Sequence, residues 1–243
     1  MSCSSDTDDY GDNGTNPNPP EETMLVYKKA SFYENSVLTS SQEVFYNTDK
    51  KVEKVVTKIE NGWRETTLDV EYNGNTPTKL TKTIDYGSSD DNDTVEEFNI
   101  TFSDGQIFLD PVNGSDYQVQ IGFTGEYVDH VKVIQPSTNI IFKEDVFQRN
   151  ADNNITSHVI SDDNMTFTYS NYDVGKVMPF HREYSIDYLI VFGLKPSEKL
   201  PLTETHENTD YSIDPSELVY DSNNNIIREG NDMNYTEFDY VEI

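Results

Sequence analysis

A single cysteine, Cys3, stands in the 243 residues, so no disulfide can close within the chain and the fold rests on its own core. Nowhere do about 18 apolar residues run together, which excludes a membrane-spanning helix. Basic residues are scarce. Seventeen Lys and Arg face 45 Asp and Glu, for a net charge of −28 and an isoelectric point near 4.2. A field of that sign repels phosphate backbones and anionic headgroups, which excludes nucleic acid as a partner. His130, His158, His181 and His206 are scattered without the paired spacing of a zinc helix, and no nucleophile motif accompanies them. A carboxylate pair for glycoside hydrolysis can be assembled from 45 acids in countless ways and so carries no information. The chain is therefore read as non-enzymatic, with no catalytic residue, no metal ligand and no cofactor assigned.

What is present begins at Cys3. It follows the small residue Ser2 and precedes an acidic stretch, residues 4–22, of Ser, Asp, Asn and Gly with Pro17, Pro19 and Pro20 and no apolar run. Such a composition cannot bury enough surface to order itself and serves as a tether. The arrangement looks like the acylated cysteine of a bacterial lipoprotein, with Met1 standing where a signal peptide has been removed from the mature form. Lipidation at Cys3, with residues 1–22 as anchor and tether, is the expectation. Ser5, Asp6, Asp8 and Asp9 resemble the acidic export signal of Bacteroidetes lipoproteins, which implies the outer face of the outer membrane. Membrane contact is then through the lipid alone.

From residue 23 to 243 the pattern is strand after strand. Segments 37–46, 63–72, 79–86, 95–102, 117–123, 127–134, 139–148 and 165–169 are rich in Val, Ile, Thr, Tyr and Phe. In 117–123 every odd residue is apolar or aromatic, the period of a sheet with one packed and one wet face, which favours antiparallel pairing. Asn61-Gly62, Asn73-Gly74, Asp104-Gly105 and Thr124-Gly125 stand between the strands as tight-turn dipeptides. Val52, Val55, Val56 and Ile59 fall at helical spacing, but their β-branching and the turn that follows predict a strand. The remaining helix candidate is 182–192, whose run Tyr188-Leu189-Ile190-Val191-Phe192 reads equally as a buried strand. The expected fold is one all-β domain over 23–243, an extended, curled antiparallel sheet of successive hairpins with at most one short helix; a β-sandwich is the alternative.

Several hairpins share a form: an aromatic residue ends a strand, a polar turn follows, and a β-branched residue opens the next strand. Tyr46-Asn47-Thr48-Asp49-Lys50-Lys51-Val52, Tyr72-Asn73-Gly74, Phe102-Ser103-Asp104-Gly105-Gln106-Ile107 and Tyr220-Asp221-Ser222-Asn223-Asn224-Asn225-Ile226 show it. Together with the Tyr188 to Leu194 insertion, the Lys199-Leu200-Pro201 step and the closing Tyr235-Thr236-Glu237-Phe238-Asp239-Tyr240 strand, these hairpins resemble the YD-repeat-like surface lipoproteins of Bacteroidetes. The resemblance covers most of residues 24–243, implies a curled antiparallel sheet, and supplies no catalytic residues. The turns at Asn47 to Lys51 and Asn223 to Asn225 lack the usual glycine, which predicts wider hairpins there.

Residues 221–232 carry alternate oxygen ligands in the manner of a calcium loop, but Ile226 stands where that loop needs glycine, so a hydrated hairpin is the better reading. The run Asp90-Asp91-Asn92-Asp93 reads as a solvated loop. Aromatics carry the functional hint: 16 Tyr, 12 Phe and one Trp can lie on a sheet as stacking platforms, with Trp63 the candidate ligand contact, or can simply form cross-strand ladders. Two classes of function follow, with a hydrolase as a third behind them. One is a cell-surface interaction module or accessory subunit of an outer-membrane assembly that docks a protein; the other is a glycan-binding lipoprotein. A compact groove of aromatics beside Asn and Asp favours sugar, a broad flat patch favours protein. The high net charge predicts a monomer when unlipidated.

Overall fold

The alternating stretches pair as antiparallel ladders. The computed structural model describes residues 25–60, 64–87, 93–173, 187–207 and 209–243. Its strands are β1 (Leu25–Glu34), β2 (Val37–Tyr46), β3 (Val52–Ile59), β4 (Arg64–Asn73), β5 (Thr76–Asp85), β6 (Thr94–Ser103), β7 (Gln106–Asn113), β8 (Gln118–Thr124) and β9 (Tyr127–Gln135). They continue as β10 (Ile140–Arg149), β11 (Ile155–Ile160), β12 (Met165–Tyr172), β13 (Pro201–His206), β14 (Thr209–Ser212), β15 (Leu218–Tyr220), β16 (Ile226–Gly230) and β17 (Tyr235–Glu242). The one α-helix among the described residues, α1 (Asp187–Val191), lies between β12 and β13. Val52–Ile59 is a strand, as its β-branching predicts, and the helix falls inside the 182–192 candidate, of which 182–186 lie outside the described residues.

Each strand from β1 to β14 pairs with its chain neighbour, and β15 to β17 form a second meander. The two join because β17 pairs with β1, Tyr240 opposite Tyr27 and Phe238 opposite Ala30. The first and last strands therefore meet in one curled, open sheet. Its edges are β14 and β15, consecutive in the chain and separated by a 3₁₀ turn at Pro215–Glu217.

The two faces differ in chemistry. Inward positions carry the core: Leu68, Leu80, Phe98, Leu109, Val119 and Ile121 from the strands, closed over by Leu189, Ile190, Val191 and Leu194. Outward positions carry cross-strand ion pairs, Lys54 with Asp69 at 3.0 Å, Lys58 with Glu65 at 2.7 Å, Lys79 with Glu97 at 2.5 Å and Lys132 with Glu144 at 2.9 Å. Opposed charges at such positions favour the pairing only modestly, because water screens them. Gly122 is also an outward position. A Cβ there would meet the His130 ring at 2.2 Å, so the missing side chain lets the imidazole of the facing residue lie over the strand.

Turn chemistry sets the hairpin widths. Asp104 and Gly105, both at positive φ (50° and 73°), close a two-residue turn between β6 and β7. The glycine-free turns are wider, as expected, and share one wiring. Asn47 Oδ1 accepts from the amides of Asp49 and Lys51, and Asp221 Oδ1 from those of Asn223 and Asn225. A third loop that the sequence reading passed over, from Asn150 to Asn154, repeats it. In all three the fourth residue is left-handed, Lys50, Asn153 and Asn224 at φ 61–62°. The Asp221 carboxylate is thus committed to its own turn, its Oδ2 accepting from Asn225 Nδ2 at 2.9 Å.

Candidate functional site

The even-numbered strands up to β8 and β17 end at one rim of the curled sheet, and there the aromatic residue of the repeated hairpin form turns inward. A register shift sits at that residue in several hairpins, between Phe45 and Tyr46, Glu71 and Tyr72, Gly122 and Phe123, and Val219 and Tyr220. A bulge bends the strand and re-aims its next side chain, which both curls the sheet and brings the rings over its concave side.

The tyrosines are anchored alike. Tyr46 of β2 donates to the Tyr27 carbonyl of β1 at 2.6 Å, Tyr72 of β4 to Val52 of β3 at 2.8 Å, and Tyr240 of β17 to Ile226 of β16 at 3.0 Å. Tyr172 of β12 donates to Ile155 of β11 in the same way. Each hydroxyl satisfies a main-chain oxygen near the start of the preceding strand. Burial pushes the Tyr46 phenol up to about 12 and raises those of Tyr72 and Tyr240, so all three remain neutral donors at neutral pH.

Between these rings and the segment after α1 lies a cavity of about 1020 Å³, at the upper end of the usual range for small-molecule sites. Tyr46, Tyr72, Phe102, Phe123 and Tyr240 line one side; Ile190, Val191, Phe192 and Leu194 line the other. Phe192 meets Phe102 edge to face at 6.3 Å. Backbone bonds hold the segment in place: Lys195 N donates to the Glu126 carbonyl at 2.9 Å and Val128 N to the Lys195 carbonyl at 3.1 Å.

Polar groups gather at the mouth, Lys50, Lys51, Asn75, Glu126 and Lys195, with Asn225 buried in the lining. Lys195 is paired with Glu198 at 2.7 Å and Glu126 at 3.1 Å. Burial works against its ammonium, but those two carboxylates outweigh it and raise the pKa. Lys51 donates to uncharged oxygens, the Gly74 carbonyl at 3.1 Å and Asn75 Oδ1 at 2.5 Å, and lies 5.5 Å from the centre of the Tyr72 ring. Glu126 is the one carboxylate of the described lining. The arrangement offers ring faces, aliphatic contact and ammonium groups; among the described residues it brings no carboxylate pair to the cavity.

No family model and no curated protein matches the chain. Its fold is similar to that of a solved structure, a porin-like protein from Bacteroides uniformis, with a TM-score of 0.57 and 8% identity over 88% of this chain and 96% of that one. At that identity the likeness shows architecture alone.

Cys3, Trp63 and His181 lie outside the described residues, as do Asn61-Gly62 and residues 90–92. The structure therefore gathers three of the four hairpin aromatics that the repeat picked out, Tyr46, Tyr72 and Phe102, around one cavity together with Phe123, while the Tyr220 hydroxyl donates to Asp173. Two inward polar sites were not foreseen. His158 Nε2 pairs with the buried Asp145 at 2.9 Å, its ring stacked 4.5 Å from Phe147. Asp187 accepts from Gln42 Nε2 at 2.9 Å and Thr57 Oγ1 at 3.4 Å, and burial raises its pKa. A histidine in a short strand and an aspartate ahead of an apolar run carry no local sign of a partner.

Proposed function

We propose that the protein is an outer-membrane-associated, non-catalytic binding module, attached to the bilayer through a lipid on Cys3 and exposed at the cell surface. The observation that carries this reading is the orientation of chemistry across the sheet. A membrane-spanning barrel turns an apolar band outward, and a Lys or Arg on that band costs about 2–4 kcal/mol at the bilayer midplane. Here Lys54, Lys58, Lys79 and Lys132 with their acidic partners occupy the outward face and the buried apolar core faces in, although Ile140, Ile141 and Phe142 of β10 are exposed. Such a sheet stands in water, and attachment falls to the leader. The fold likeness to a Bacteroides porin-like protein supports the membrane setting, as does the acidic sequence after Cys3.

Binding surfaces of two kinds are available. The edges at β14 and β15, unpaired among the described residues, suit strand addition by a protein; the ring-lined cavity with Asn75 and Asn225 in its lining keeps a glycan as the second reading. Expressed with a native signal, wild-type protein is expected in the outer-membrane fraction and sensitive to protease on intact cells, with Cys3→Ala soluble. Equal membrane retention of Cys3→Ala sinks the anchor, and protease resistance on intact cells sinks the surface exposure.

A further inference from the structure

We propose that the rim cavity is a binding site for a single-chain anionic amphiphile, an acyl chain bearing a carboxylate head. The inference rests on reading the domain as a binding module and goes beyond it by giving the cavity a ligand class. Three observations point the same way. First, the wall presents apolar surface on both sides, the rings of the strand ends facing Ile190, Val191 and Leu194. Second, a sugar needs several free donors, yet the hydroxyls of Tyr46, Tyr72 and Tyr240 already donate to main-chain carbonyls, so these residues offer the ligand chiefly ring surface. Third, the sign of the charge reverses at the mouth. Acids outnumber bases 45 to 17 in the chain, but the described lining holds Lys50, Lys51 and Lys195 against the single acid Glu126. Lys195 is paired with its two glutamates, whereas Lys51 donates to uncharged oxygens and has no carboxylate partner among the described residues. Apolar interior and cationic lip together define an amphiphile, with the chain inside and the head at the lysines.

The test uses full-length Cys3→Ala protein, so that no lipid of its own competes, titrated calorimetrically with laurate, myristate and palmitate. Each two-carbon step is expected to tighten Kd about tenfold. The neutral alcohol of palmitate's length is expected to bind about fivefold more weakly than palmitate. On that background, Lys51→Gln is expected to remove the preference for the acid, as is Lys50→Gln at an exposed turn position that no core packing depends on. Val52→Trp, with circular dichroism as the fold control, fills the cavity and is expected to abolish binding of every chain. No binding at any length, equal affinity for acid and alcohol, an acid preference that survives both lysine changes, or palmitate binding that survives in a folded Val52→Trp protein would each overturn the proposal. Membrane fractionation is a separate readout: loss of the anchor reading leaves these titrations unchanged, and a failed titration leaves the fractionation unchanged.

Discussion

Two bands of the concave face, one inward position apart on the same strands, are built from opposite chemistry. On β5 and β6 Leu80 stands opposite Phe98, both fully buried. The next inward pair along, Lys82 opposite Glu96, is an ion pair at 2.8 Å that also holds Tyr117, whose hydroxyl lies 3.2 Å from the lysine and 2.8 Å from the glutamate. Around the sheet the same split recurs: Val44 and Val55 belong to the apolar band, Gln42 and Thr57 to the polar one. The apolar band gains stability in proportion to area removed from water. The polar band gains little net energy but is demanding of partners, and one of them, Asp187, is at the start of α1. The difference teaches that area holds the sheet curled, while the polar groups say where the helix sits on it.

The largest effect is expected in the apolar band. Phe98→Ala should cost about 3–5 kcal/mol, read as a lowered denaturant midpoint; a cost under about 1 kcal/mol would mean that this band is not the core. Next comes Lys82→Met. Burial works against the Lys82 ammonium, yet Glu96 and Tyr117 outweigh it and hold its pKa above the ordinary lysine value. Removing the cation strands Glu96, for an expected loss of about 2–3 kcal/mol, and the further change Glu96→Met should restore most of it. If the double variant is no better than the single one, the two bands do not differ in the way argued.

A smaller, pH-shaped effect is expected at Asp187. Its pKa is raised by burial, against the opposing hydrogen bonds from Thr57 and Gln42 and the charges of Lys82 and Arg64. The folded state therefore holds this proton more tightly than the unfolded chain. The stability it contributes is full below the ordinary value of 3.8 and is lost as pH rises through the raised pKa. Asp187→Asn removes that loss, so Tm of the variant minus Tm of wild type should climb with pH across this window and then level off. Parallel curves for the two proteins would refute it. The smallest effect belongs to the outward face: Lys54→Ala breaks an exposed pair and should move stability by no more than about 0.5 kcal/mol in urea unfolding.

How much of this was legible depends on whether the alternation stays in phase. Strand β2 matches its sequence boundaries, and β8 shows its inward Val119 and Ile121 directly. β1 hides because a register shift between Tyr27 and Lys29 puts Tyr27, Ala30 and Phe32 inward, which breaks a period of two. β7 hides behind Pro111, which a strand tolerates here because β8 pairs only with residues 106–109 of it. In the site, the aromatic-turn form picked out Tyr46, Tyr72 and Phe102, which the cavity brings together, and also Tyr220, which the described lining does not include. It did not reveal Ile190 to Leu194 as the opposite wall, because they meet the set only across the concavity, nor Tyr240, which joins the set only through the pairing of β17 with β1.

The sequence by itself determined the local terms: strand propensity and alternation, the turn each Asx or glycine closes, the acidic field, and the leader composition. These depend on a residue and its near neighbours, and physical chemistry reads them without a partner. Only the tertiary structure decided that β17 joins β1, that α1 lies on the inward face, and that the hairpin aromatics converge on one cavity with lysines at its lip. Those outcomes depend on the bulges that set the curl of the whole sheet and on which buried polar groups find each other, quantities summed over distant strands that no local pattern records.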